Sequence, residues 1–425
     1  MNRLKKSLGP GRLLTQVTNC IINYIIPIGL FVLCTGMFWV WDSSKYHQFY
    51  YLLICLPALI LCLTGGKDNL KRLLKNPLMV VFIVFGLYTL VSLIWSDTDT
   101  AITSLIRRPI NIFFLFFSLG FIAIKKPGKI QKVISASALL AVLSGLVTVV
   151  YGLYNSYDNF KSLNKMLASY RFRGYGVLDN PLLTSHVYGF FAAFFIAVWF
   201  NKSRVNPRYL IFALSTLFLV ILTTGSRTPL LALTFTSLWL AVSCWNKRSL
   251  YALLLMTTLG AALFALIPQR MLRSGLSWRP EIWEEAIKLS LNNIWFGQGY
   301  DHNLQLYVEA AKITFYDPHN IELGVLLAGG LVGLTLWMIM YATAFTFAWK
   351  NRKDPMVSIA SATVVFGLAA GFTEGGGFMS RPNEHWFLIW IPLALLYSTW
   401  VMKDQERRHS SDLSQLSQTD SAQTP

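Results

Sequence analysis

At 425 residues, 54% hydrophobic and only 13% charged, the chain is too apolar to cover a soluble domain of its size with polar surface. Its net charge of +17 would point to nucleic acid in a soluble protein, but the basic residues come as short clusters between long apolar runs, a pattern of membrane topology. All five cysteines, Cys20, Cys34, Cys55, Cys62 and Cys244, fall within or at the edges of those runs, which argues against a disulfide framework.

The basic start, residues 1–20, looks like a signal-peptide n-region. The apolar run behind it is about 20 residues long and lacks a small-x-small cleavage site, so it is expected to remain as a first helix. Twelve runs approach the roughly 20 residues that span a bilayer, at 21–41, 49–64, 77–95, 110–124, 133–154, 183–200, 209–224, 229–245, 250–268, 321–348, 356–373 and 386–402. With the N-terminus in the cytoplasm, Lys67, Lys71, Arg72, Lys75, Lys125, Lys126, Lys129 and Lys132 fall inside. So do Lys202, Arg204, Arg208, Lys247, Arg248, Lys350, Arg352 and Lys353. The positive-inside rule then fixes an all-α integral membrane protein with both termini inside. Nine spans are expected within 21–268, a long outer loop at 269–320, and three more spans within 321–402. The tail, 403–425, is rich in Ser, Gln, Asp and Thr and is expected to be disordered.

The outer segments hold the candidate chemistry. SDTDT offers Asp97 and Asp99 as a D-x-D, either a divalent-cation pair or a solvated loop. Arg107 and Arg108, then Arg171 and Arg173 in SYRFRGYG, place positive charge at the same surface, for an anion or for lipid headgroups. Arg227 in TTGSRTP lies in a tight outer connection, where a charge needs a partner, and its natural partner is an anion. Within the long loop, SWRPEIWEEAIKLSLNN sets Ile282, Trp283, Ala286, Ile287 and Leu291 on one helical face and Glu281, Glu284, Glu285 and Lys288 on the other, an amphipathic helix lying along the membrane or capping a cavity. Arg279 at its start adds a guanidinium to the positive helix end.

His319, in YDPHN before a span, is either a polar anchor at the interface or a general base on the outer side. Glu322 either orients its imidazole or serves the first helical turn. Arginine forks suit phosphate because they donate paired hydrogen bonds and stay charged, and several converging from separate loops suggest a diphosphate; they would also keep a nearby histidine neutral. A last outer cluster, Glu374, Arg381, Glu384 and His385 in GFTEGGGFMSRPNEH, lines the same cavity or a flexible loop.

TTGSRTPLLAL around Arg227, SWRPEIWEEAI followed by FGQGY, and HNIELGVLLAGGLVG together resemble the O-antigen ligase family, within a superfamily shared with O-antigen polymerases and protein O-oligosaccharyltransferases. His319, Asn320, Gly330 and Gly333 carry the family's spacing; Leu334 stands where the family usually has Thr or Val. The resemblance implies a C-type membrane glycosyltransferase fold in the bacterial inner membrane, with a periplasmic site. It also implies an undecaprenyl diphosphate-linked glycan as donor, lipid A-core oligosaccharide as acceptor, and inverting transfer with no metal or other cofactor. By carry-over His319 is the base, Arg227 and Arg279 hold the diphosphate, Arg171 or Arg173 assists, and Asn320 and Glu322 give support. The paired R-x10-G motifs of the polymerases do not occur from Arg171, Arg173, Arg270, Arg273, Arg279 or Arg381. A twelve-span transporter is the rival from another class; the absence of an internal repeat and of ionisable residues in mid-span opposes it.

Overall fold

The computed structural model describes residues 10–160, 171–174, 176–201, 205–245, 247–266 and 278–421. In chain order its helices are α1 (Leu14–Phe38), α2 (Ser43–Thr64), the short α3 (Lys67–Leu74), α4 (Pro77–Ile94), α5 (Ile102–Lys125), α6 (Pro127–Phe160) and α7 (Pro181–Phe200). There follow α8 (Pro207–Thr224), α9 (Thr228–Cys244), α10 (Lys247–Leu266), α11 (Arg279–Leu291), α12 (Ile321–Lys350), α13 (Pro355–Gly371) and α14 (Trp390–Ser421). Nine helices among the described residues are long and apolar enough to cross a membrane: α1, α2, α4 to α8, α12, and α14 with the turn that leads into it. α9 and α13 are shorter apolar helices, and α10 stands where the ninth apolar run was expected.

Several helices start by one recurring device, an Asn or Asp cap followed by proline. The side chains of Asn76, Asn180, Asn206 and Asp354 accept the orphan N–H of Leu78, Leu182, Arg208 and Met356 at 2.8–3.0 Å. Proline next to the cap loses nothing, because its missing N–H would have no intrahelical partner there. α9 packs most extensively on α13, α7 on α8 and α13, and α14 on α5, burying a core rich in Phe, Trp and Tyr.

The long helix α12 is broken at Gly330, where φ is 59° and ψ −161°. The break frees backbone groups that the loop after α11 takes up: Gln298 N–H donates to Leu327 O at 2.7 Å and Gly299 N–H to Ala328 O at 2.9 Å, while Leu331 N–H donates to Ile294 O at 2.7 Å. A side chain at Gly330 would strike the Trp295 carbonyl, and one at Gly297, also left-handed, would strike Gly330 N. Gly297 of FGQG and Gly330 of the His-x10-G spacing therefore serve one contact, docking the 294–299 segment onto the helix that follows His319, while Gly299 makes room for Ser92 of α4 and for Ser96 just after it.

The segment between α11 and α12 also holds a hairpin, β1 (Leu306–Val308) against β2 (Ile313–Phe315), antiparallel with Leu306 opposite Phe315; residues 269–277 of the expected loop, and 267–268 of the expected ninth run, lie outside the described residues. α11 differs in detail from its sequence reading. Ile282, Ala286 and Ser290 form the buried stripe, whereas Ile287 and Leu291 are exposed beside Trp295 and Phe296. One stripe thus packs on the protein, while these four apolar side chains are left exposed. Of the tail expected to be disordered, residues 403–421 continue α14; Lys403 pairs with Asp354 and Glu406, and Arg407 donates to Asn351, which ties its first turns to the start of α13.

Candidate active site

The segment Phe372–Glu374, just after α13, is the hub. Asn320 caps α12 by accepting from Leu323 N at 2.9 Å, and its amide donates to Phe372 O at 3.0 Å. Arg279, first residue of α11, donates through Nε to Thr373 O at 2.9 Å and through Nη2 to Glu374 Oε1. The Thr373 hydroxyl meets that of Thr228 at 3.0 Å, which brings the start of α9, and with it the capping residue Arg227, against the same segment. Arg171 donates to Thr224 O at 2.8 Å at the end of α8 and lies within electrostatic reach of both Glu374 and Arg227. Three helix junctions distant in sequence are thereby gathered around one carboxylate.

His319 stands at the edge of this group. Its backbone is left-handed, φ 50°, a conformation that costs a non-glycine residue roughly 1–2 kcal/mol. The turn is held in that state by Asp317, whose Oδ1 accepts from His319 N at 2.7 Å, and by Trp283, whose indole donates to Pro318 O at 3.1 Å. The half-buried imidazole places Nδ1 4.0 Å from Glu374 Oε2, an electrostatic contact longer than a hydrogen bond. Burial lowers the His319 pKa below the ordinary 6.5; Asp317 opposes the shift and Arg279 adds to it, so the ring is neutral at pH 7. Glu374, 2% exposed, is pushed up by burial to about 7 against the pull of Arg279.

The sequence candidates separate clearly. His319, Asn320, Arg171, Arg227 and Arg279 converge on the hub; Arg173 is exposed on the segment that Arg171 anchors. Glu322 does not reach the imidazole. His319 precedes α12 in a non-helical conformation, so the i, i+3 neighbour relation never applies, and the half-buried Glu322 lies near Tyr341 with Oε2 unpartnered among the described residues. Glu374, read from sequence only as one member of a glycine-rich cluster, is the carboxylate that approaches the ring. Arg108 is turned away to Asp301 at 2.6 Å, and Arg381 donates to Ser104 at 2.9 Å. Asp97 and Asp99 both accept from Asn303, at 3.0 and 2.8 Å, and no cluster of three metal-ligating side chains occurs among the described residues. A further buried group that the sequence did not flag is His186 in α7, fully enclosed, its ring nitrogens unpartnered among the described residues.

The arrangement can hold an anion at its guanidinium groups and take a proton at an imidazole beside them. Residues 212–338 match the O-antigen ligase family profile. The chain is also 41% identical over 393 residues to an O-antigen ligase of Pseudomonas aeruginosa, covering 92% of this chain and 94% of that protein. The chain belongs to the O-antigen ligase family.

Proposed function

We propose, from that membership and the site above, that this multi-pass membrane enzyme transfers a polysaccharide from undecaprenyl diphosphate to lipid A-core oligosaccharide. The reaction runs at the periplasmic face of the inner membrane, on a chain of twelve spans with both termini cytoplasmic. The observation that carries the reading is the half-buried imidazole of His319, 4.0 Å from a carboxylate that is itself shared with Arg279.

In this mechanism Arg279, Arg227 and Arg171 receive the donor diphosphate, whose negative charge displaces Glu374 from its pairing with Arg279. With Nδ1 turned toward Glu374, Nε2 of His319 is free to accept the proton of the acceptor hydroxyl. The acceptor oxygen bonds to the anomeric carbon from the side opposite the diphosphate, and the bond from that carbon to the phosphate oxygen breaks. Its electron pair leaves with undecaprenyl diphosphate, stabilised by the arginines, and the configuration inverts. The proton resides on His319, where Glu374 stabilises the imidazolium until it is lost to water. No metal is required, because three guanidiniums supply the positive charge.

Deleting the gene is expected to leave lipid A and core intact, remove the polymer ladder attached to them and accumulate lipid-linked polymer, as read on stained gels and by lipid extraction. Unchanged ladders would sink the ligase reading. Loss of glycosylated protein in place of the ladder would move the acceptor assignment to protein.

A further inference from the structure

The turn at 317–319 has a second flank. There a cavity of about 260 Å³ is lined by Arg108, Tyr300, Asp301, His302, Tyr316 and Asp317. We propose that this cavity is the acceptor subsite, holding an uncharged, hydroxyl-rich sugar ring of the acceptor oligosaccharide next to the base. The proposal rests on the ligase reading and adds to it where the acceptor sits.

Charge separates this cavity from the arginine flank. Arg108 is neutralised by Asp301 at 2.6 Å and also donates to the Tyr300 hydroxyl at 3.1 Å. The second oxygen of Asp301 accepts from Thr98 at 2.9 Å. What remains is a fixed set of hydrogen-bonding groups with no cationic surplus, and a diphosphate would find the Asp317 carboxylate instead of a free guanidinium. Polar capacity is left over for hydroxyls. His302 holds its ring in the wall by donating from Nδ1 to Gly299 O at 3.1 Å; its Nε2 is enclosed, with no partner among the described residues, so the acceptor open to a guest is that of Asp317. Asp317 uses Oδ1 on His319 N, and no donor among the described residues reaches its other oxygen.

Shape points the same way. Tyr316 is 74% exposed, a ring face on which the C–H side of a sugar can stack, and it stands three residues from His319. Gly376 must be glycine, since a side chain there would strike Pro318 and Asp317; Gly377 is different, because a Cβ there would meet nothing within 4 Å. Gly377 lines the cavity without being needed for packing, so its missing side chain leaves room for a guest. The volume lies just under the roughly 300–1,000 Å³ of drug-sized ligand sites, a match for one or two sugar rings.

The test uses the full chain in liposomes with lipid-linked glycan donor and lipid A-core acceptor. Gly377→Leu fills the cavity, and the expected result is a rise of roughly tenfold or more in acceptor KM with donor KM within about twofold. Tyr316→Ala, at an exposed position that cannot unfold the chain, is expected to raise acceptor KM about three- to tenfold. An unchanged acceptor KM in both variants, or a rise in donor KM alone, overturns the subsite. Absence of transfer by the wild-type protein would overturn the ligase reading instead, so the two failures are distinguishable.

Discussion

The two flanks of the 317–319 turn contain similar residue types, arginine, carboxylate and tyrosine or threonine, yet their electrostatics are opposite. On one side a single buried carboxylate, Glu374, faces Arg279 and Arg171, with Arg227 within electrostatic reach of Arg171; on the other, Arg108 is matched one-to-one by Asp301. Composition is nearly the same, and the ratio of charges decides what each side can hold. An excess of guanidinium is an anion site, whereas a closed ion pair is a rigid wall of hydrogen-bonding groups.

The contrast can be broken first at the base. His319→Ala is expected to lower transfer by about 10²–10⁴-fold with donor binding retained, since proton removal contributes on that order; near-normal turnover would remove His319 from the role. Next, Arg279→Ala should cost about 10²–10³-fold, expressed in kcat and donor KM, by loss of leaving-group stabilisation. Equal losses for donor and acceptor KM would argue that the flanks are not distinct.

A smaller effect is expected for Glu374→Gln, about tenfold, with a change in pH dependence. In the native enzyme Glu374 takes up a proton as pH falls through about 7, so activity should step down there. It should fall again only below the ordinary imidazole value of 6.5, as the lowered His319 finally protonates. Glu374→Gln should erase the upper step and keep the lower one; two steps persisting in the variant would contradict the assignment. The smallest effect is expected for Asp97→Asn with Asp99→Asn, or for added chelator, where initial rates should stay within about twofold because neither carboxylate faces the arginines.

Much of this was legible in the sequence. Apolar runs and basic clusters mark the helices, the Ile282 to Ala286 stripe marks α11, and His319 with three arginines marks the proposed site. The rest depends on docking that no local pattern encodes. Glu374 sits in a glycine-rich turn distant in sequence from both partners, and only the close approach of Phe372–Glu374 to Asn320 and Arg279 makes it a neighbour of the proposed base His319. Glu322 had the better spacing and lost because the helix begins after His319, not at it. Gly330 read as one of two spaced small residues, but its function, breaking α12 to accept the 294–299 loop, requires a partner segment before α12. Hydrophobic periodicity alone likewise did not separate the exposed Ile287 and Leu291 from the buried Ile282 and Ala286.

The most direct measurement is a structure of the His319→Ala protein in lipid with its undecaprenyl diphosphate-linked donor bound. The account predicts diphosphate density bridging Arg171, Arg227 and Arg279, Glu374 released from Arg279, and the anomeric carbon facing the vacated position 319. Diphosphate lodged against Arg108 and Asp301, on the opposite flank, would contradict it.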